Sequence, residues 1–484
     1  MLEAHDLPTI IQGGMGIGVS DWRLARSVSI QGGLGVVSGT AIDTVLVRRL
    51  QLGDEGGHVR RALAAFPDQR AAERLLKRYY VEGGIPPDAP FQPLPLPKQR
   101  MNRARLQVFV LANFVEVFLA KEGHDGPIGI NYLEKIQLPT LPSLYGALLA
   151  GVDVILMGAG IPASIPGIIA GLLAGERVEL KLQVEGHRTP EGFTTTFAHE
   201  DAFDEDLLAA RRDGARSRRP LFLPIISSHI LAKTLTKKAN GKVDGFVVES
   251  HVAGGHNAPP RKSRTSDGGG WGALDAPDLD VLRGLELPFW LAGGRASAAA
   301  YQEARRLGAH GIQVGTAFAF CEESGIPLDV KRRTIASCRR GTLHVVTDFE
   351  ASPTGYPFKL VLDDDEPRAL QDLRDRTRVC DLGYLRQNYV DEHGRLGYRC
   401  PGEPKDTYVA KGGALEATHN KLCLCNGLLA TVGLGQRRDH VPELPIYTAG
   451  EGIESILEFL GPGRDSYTAG DVLKHLRAER APGS

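Results

Sequence analysis

Glu249, His251 and His256 stand together in the stretch Glu249-Ser250-His251-Val252-Ala253-Gly254-Gly255-His256, directly after the apolar run Phe246-Val247-Val248. A short apolar run bounded by glycines reads as a buried strand. His256 therefore sits on a loop just past a strand end, behind two residues without side-chain bulk. Glycines there let the backbone approach a flat ligand closely. An imidazole titrates near about pH 6.5, so it can take up a proton or hydrogen-bond a substrate oxygen at working pH. A single histidine is more often a satisfied structural residue, but the context changes the reading. Two further apolar runs end in glycine, at Leu291-Ala292-Gly293-Gly294 and Ile312-Gln313-Val314-Gly315-Thr316. Backbone N–H groups at such ends, with a helix starting behind them, suit a dianionic phosphate.

Those loops need a scaffold that brings them to one rim. Apolar runs at 8–13, 33–38, 128–131, 153–157, 221–226, 245–248, 288–292 and 311–314 alternate with helical stretches. Continuous apolar strands alternating with helices predict a parallel sheet buried on both faces. The predicted fold is an α/β, (β/α)8 TIM barrel with insertions and a C-terminal extension. The Gly294 and Gly315 loops then follow strands 7 and 8, where such barrels hold phosphate. His256 follows strand 6 on the same rim. Gly13-Gly14-Met15-Gly16 ends strand 1, Asn131 ends strand 3, Gly158-Ala159-Gly160 ends strand 4 and Ser227-Ser228 ends strand 5. Asp21 or Ser20 can cap the first helix.

The chain has 484 residues, more than the roughly 250 of one barrel. We place the barrel in residues 1–335, with insertions at about 41–104 and 176–218, the second containing a β-hairpin. Residues 336–484 form an extension expected to be mostly helical and to pack on the barrel, with a strand at 343–348.

Net charge is −1, with 42% hydrophobic and 24% charged residues. These values are near globular averages and predict neither a nucleic-acid nor a membrane-surface partner. The basic run at 211–219 is offset by an acidic one at 201–206. The apolar stretch 145–175 carries Asp153, glycines and prolines, and reads as a buried βα unit instead of a membrane span. Residues 1–8 are polar and lack a leader pattern. Six cysteines in this length make no disulfide scaffold, so a cytoplasmic protein with reduced thiols is expected. Four of them are Cys380, Cys400, Cys423 and Cys425. Zinc sites usually take cysteines in pairs two to four residues apart, whereas the single pair here is Cys-Leu-Cys. Buried thiols are the expectation and no metal ligand is assigned; a four-ligand metal or iron–sulfur site is the alternative.

In order along the chain, Ile11-Gln12-Gly13-Gly14-Met15-Gly16, Gly129-Ile130-Asn131, Gly158-Ala159-Gly160-Ile161-Pro162, Ser228 with Ala232-Lys233, Glu249 through His256, Gly293-Gly294 and Gly315-Thr316 resemble the nitronate monooxygenase (2-nitropropane dioxygenase-like) family, which includes FMN-dependent enoyl-ACP reductases. The resemblance covers most of residues 8–320. It implies FMN at the barrel rim. Gly14, Met15, Gly16 and Asn131 would line the flavin ring, and Ser228 and Glu249 would hydrogen-bond nearby. Gly255, Gly293, Gly294, Gly315 and Thr316 would complete the cradle and hold the phosphate, and His256 would be catalytic. The implied activity is oxidation of an alkyl nitronate, or a similarly acidic carbon substrate, with O2. The alternatives are an NAD(P)H-dependent enoyl thioester reductase and a non-catalytic flavin-binding barrel. A barrel acting on a nucleotide substrate through a cysteine nucleophile is disfavoured, because no cysteine lies between strands 5 and 8. The expected partners are a small-molecule substrate with O2 or NAD(P)H, and a homodimer is the candidate assembly. The chain departs from the pattern at Val252, where family members commonly carry an acidic residue, and in the segments 259–264 and 267–272. His251 is the second candidate histidine.

Overall fold

The computed structural model describes residues 3–186, 192–209, 218–261 and 270–478. Residues 187–191 within the second insertion, most of the basic run at 211–219 and much of the two unmatched segments at 259–272 lie outside the described residues.

Eight parallel strands form one sheet. They are β1 (Ile10–Gln12), β2 (Gly35–Ser38), β3 (Ile128–Leu133), β4 (Val154–Gly158), β5 (Leu221–Ile226), β6 (Phe246–Glu249), β7 (Phe289–Ala292) and β8 (Gly311–Val314). Each pairs with its sequence neighbour, and β1 pairs in parallel with β8. The ring closes between β1 and β2 through a single parallel bridge, Ile11 to Leu34. Gln12 reinforces this thin seam. Its buried amide donates to the Ser20 hydroxyl at 2.8 Å and the Val36 carbonyl at 3.1 Å, and accepts from the Val36 N–H at 3.0 Å. The sheet is thus a closed α/β barrel.

Its interior is a packed apolar plug of Ile11, Leu34, Val36, Val154, Leu156, Leu223, Val247 and Trp290, all fully buried. A second core joins the sheet to α1 (Trp22–Ile30), α2 (Arg103–Lys121), α3 (Thr140–Ala150) and α4 (Ile165–Ala174). Asp21 caps α1 as expected, accepting from the Arg23 and Leu24 N–H groups. Three insertion helices, Ile42–Gln51, His58–Ala64 and Gln69–Tyr79, pack beside α2 and not over the rim. The second insertion carries an antiparallel pair, Val178–Lys181 with Thr194–Phe197.

The extension differs from a mostly helical module. It contains antiparallel hairpins, Leu343–Asp348 with Phe358–Asp363 and Gln387–Val390 with Leu396–Arg399, beside short helices. Its last helix, Ala469–Arg477, returns to pack on α1 and on Ala298–Arg306, the helix after β7. The helix directly after β8 is only Thr316–Ala319. The chain therefore covers the barrel wall there with a helix from its far end, and the boundary near 335 does not separate two independent bodies. Arg477 fixes this return by donating to the Gln31 and Gly32 carbonyls at 2.8 and 2.9 Å.

Candidate functional site

A cavity of about 520 Å³ opens at the C-terminal ends of the strands, within the size range of small-ligand sites. Its floor is the set of glycine loops after β1, β4, β7 and β8. Gly14 has no room for a side chain: a Cβ there would lie 2.4 Å from Asn131 Cβ. Asn131 in turn donates to the Gly14 carbonyl at 3.0 Å, tying the β1 loop to β3. Gly293 and Gly294 both adopt positive φ, 87° and 64°, so their tight turn depends on glycine.

Of the residues expected at the site, Gly14, Met15, Gly16, Asn131, Glu249, Gly255, His256, Gly293, Gly294, Gly315 and Thr316 line this one cavity. Ser228 does not. Its hydroxyl accepts from the Leu231 N–H at 3.2 Å and caps the following helix, His229–Lys238, while Ser227 lines the wall. The two histidines separate as well. His251 stacks on Trp271, centroids 5.0 Å apart, and is not part of the wall. His256 faces the cavity, its Nε2 at 2.6 Å from Ser352 Oγ and its ring edge-on to Phe358.

The extension holds the His256 loop from both sides. The Lys359 N–H donates to the Gly255 carbonyl at 2.9 Å, and the Asn257 N–H to the Pro357 carbonyl at 3.0 Å. The Gly255 N–H donates to Thr448 Oγ1 at 2.8 Å. The Gly450 N–H donates to the Thr316 hydroxyl at 2.8 Å, so that hydroxyl already has one protein partner. Tyr356, Tyr384, Leu428 and Tyr447, all from the extension, roof the cavity.

Sequence reasoning missed Lys135, just past β3. Its Nζ is buried without a hydrogen-bond partner and lies 2.8 Å from the Tyr356 ring centroid. The signal was a charged pair, Glu134-Lys135, directly after a strand ending on the rim. Burial pulls the Lys135 ammonium down to about 7, partly offset by Glu134. Burial, then the charge of Lys135, lowers His256 to about 3, so its imidazole is neutral at working pH. Burial raises Glu249 to about 7. His256 and Glu249 are half-buried and line this cavity.

The wall fits a flavin mononucleotide in two respects. Asn131 Oδ1, Asn257 Oδ1, Gln313 Oε1 and Lys135 Nζ are buried side-chain atoms without partners, on residues that line the cavity. Buried polar groups need partners, so these call for a ligand with both donors and acceptors. The glycines in the loops after β1, β7 and β8 then leave space for a flat ring and a phosphate. Among the described residues, no group of three or more His, Cys, Asp or Glu side chains closes on a single metal ion.

Residues 210–356 match the family model described as nitronate monooxygenase. Over those residues the chain is similar to that family. A curated relative, the (3aS,4S,5R,7aS)-5-hydroxy-7a-methyl-1-oxo-octahydro-1H-indene-4-carboxyl-CoA dehydrogenase of Mycobacterium tuberculosis, is 29% identical over 180 residues. The match takes in 37% of this chain and 44% of that protein, less than half its length. Among solved structures, FabK from Thermotoga maritima is 15% identical with a TM-score of 0.46, covering 97% of this chain and 91% of that one. Nitroalkane oxidase from Streptomyces ansochromogenes is 17% identical with a TM-score of 0.45, covering 98% and 96%. No helix among the described residues is long and apolar enough to cross a membrane.

Proposed function

We propose that the chain is an FMN-dependent oxidoreductase that oxidises a small substrate with an acidic carbon, such as an alkyl nitronate, with O2 as the final acceptor. The observation that carries this reading is the convergence of the β1, β7 and β8 glycine loops on the cavity that His256 faces. Bound flavin supplies a two-electron acceptor for the substrate carbon. The protein's own part is to place that carbon and manage its charge. A neutral His256, steadied by Ser352, hydrogen-bonds the nitro or carbonyl oxygen. This role suits its depressed pKa better than service as the proton acceptor. Lys135 lies close enough to depress His256, and its ammonium favours a negatively charged substrate group there. Lys135 and Glu249, both near neutrality, are the groups able to exchange a proton at working pH.

A second reading takes a thioester substrate. It is supported by the Mycobacterium tuberculosis relative, whose name is that of a carboxyl-CoA dehydrogenase. The same His256 and Lys135 pair would then polarise the thioester carbonyl. The spectrum of the purified protein, followed by anaerobic titration with nitronate, NADH and NADPH, separates the readings. Bleaching by nitronate alone supports the first reading; bleaching by NAD(P)H alone establishes a reductase. Colourless protein that takes up no added FMN removes the flavin from both.

A further inference from the structure

The four cysteines scattered through the extension meet at one place. Cys380, Cys400, Cys423 and Cys425 all line a single small cavity walled otherwise by leucines, glycines and Pro353. Cys380 precedes the Gln387–Val390 hairpin and Cys400 follows its second strand. Cys423 directly precedes the helix Leu424–Thr431, and Cys425 lies in its first turn. Cys380, Cys423 and Cys425 all lie within electrostatic reach of the Cys400 thiol. Cys423 Sγ accepts from Asn426 Nδ2 at 3.4 Å and donates to the Val379 carbonyl at 3.6 Å. The remaining cysteines, Cys321 and Cys338, are simply buried in the barrel core. Burial as small hydrophobes accounts for those two. It does not explain why three separate segments bring all the others to one point.

Three guanidiniums, those of Arg376, Arg378 and Arg386, lie within electrostatic reach of these cysteines and complement an anionic core held among them. A single zinc fits less well. Its four ligands would all lie about 2.3 Å from one centre, whereas among the described residues no three such side chains close on one ion. Thiols arranged around a gap suit a polynuclear core held by four cysteines.

We propose that Cys380, Cys400, Cys423 and Cys425 ligate an iron–sulfur cluster. The sequence spacing alone pointed to plain buried thiols; the meeting of all four at one cavity is what favours the alternative. Cys425 also lines the large cavity at the barrel rim. The cluster would therefore stand directly behind the wall of the candidate flavin site.

The test is iron, zinc and acid-labile sulfide analysis of full-length protein purified without oxygen, with electron paramagnetic resonance after dithionite reduction. The expected result is iron and sulfide in equal amounts, about two or four of each per chain, with a reduced-cluster signal. Flavin contributes neither iron nor sulfide, so this result and the flavin reading stand or fall separately. The double variant Cys423→Ser, Cys425→Ser should lose most of the iron, while Cys338→Ser should keep it. If the double variant does not fold, the wild-type analysis decides alone. Stoichiometric zinc without sulfide overturns the proposal. So do four alkylatable thiols with no iron, before and after anaerobic reconstitution with ferrous iron and sulfide.

Discussion

The barrel rim and the extension that roofs it build the same cavity by different means. On the rim each contribution is local: a strand stops, a glycine turn follows, and the next helix begins. Gly293 and Gly294 occupy their turn because of their own backbone angles. In the extension every contribution is long-range. Ser352 reaches His256, Thr448 reaches Gly255, and Tyr356 lies under Lys135 only because the chain returns over the barrel. The rim supplies the floor of the cavity, and the extension covers it and holds the loop that carries His256. Breaking one should cost binding, and breaking the other should cost turnover or tuning.

His256 is where the two regions meet, and its loss should have the largest effect. His256→Asn should leave flavin bound and lower kcat by about 10²–10⁴-fold on the best substrate found, the usual worth of a positioned acid–base or polarising group. Stopped-flow flavin reduction checks this, and near wild-type kcat/KM would make His256 structural. Gly14→Val attacks the rim alone. Its Cβ would overlap Asn131 and press on Val36 Cγ1 at 3.0 Å. Overpacking of this kind costs about 1–3 kcal/mol, so FMN affinity should fall on the order of tenfold to a hundredfold. Fluorescence titration of the apoprotein with FMN reads this directly, and unchanged affinity would move the ring away from the β1 loop.

Lys135→Met tests the tuning role and should change activity by only about tenfold. With the ammonium gone, His256 loses one of the two influences that depress it. A limb of the kcat/KM profile near pH 7 should flatten if Lys135 carries it, and persist if Glu249 does. The stability consequence has a definite sign. The folded pKa of Lys135, about 7, lies below the roughly 10.4 of an unfolded lysine. Wild-type protein therefore gives up stability as pH falls from about 10 to 7, and the variant should not. Thermal melts of the apoprotein across that range compare the two.

The same division explains what could be read from the sequence. The strand positions were legible because buried parallel strands are apolar runs with glycine at their ends, and β5 and β8 fall where those runs do. Glu249, Asn131 and the glycine loops came with them, since a residue at a strand end is carried to the rim by the fold alone. Ser228 misled because a serine before a helix serves equally well as a cap. Lys135 stayed hidden because its role depends on Tyr356, more than two hundred residues later in the chain. The cysteines carry no periodic signature, and only the folded hairpin brings Cys380 and Cys400 to one cavity. The eighth covering helix could not be foreseen either, because nothing local to residues 469–477 marks them as part of the barrel.

The smallest expected effect concerns the joint between the regions. Tyr384, from the extension, donates its hydroxyl to Asp43 Oδ1 at 2.7 Å and lies 2.6 Å from Thr44 Oγ1, both on the first insertion helix. Asp43 keeps a second partner, the buried Arg105 guanidinium, so it is not left as an unpaired charge when Tyr384 is shortened. Tyr384→Phe preserves the ring that packs with Ile17 and Leu429 and removes only the hydroxyl. The cost should therefore be about 1 kcal/mol, the net worth of a buried hydrogen bond, and not the several kcal/mol of a stranded carboxylate. In calorimetry, a single transition shifted down by a degree or two would show that barrel and extension unfold as one cooperative unit. A new, earlier transition, with release of the extension by limited proteolysis, would show that the roof can open while the barrel stays folded. In that case the Ser352 and Thr448 contacts that hold the His256 loop would be conditional on that docking.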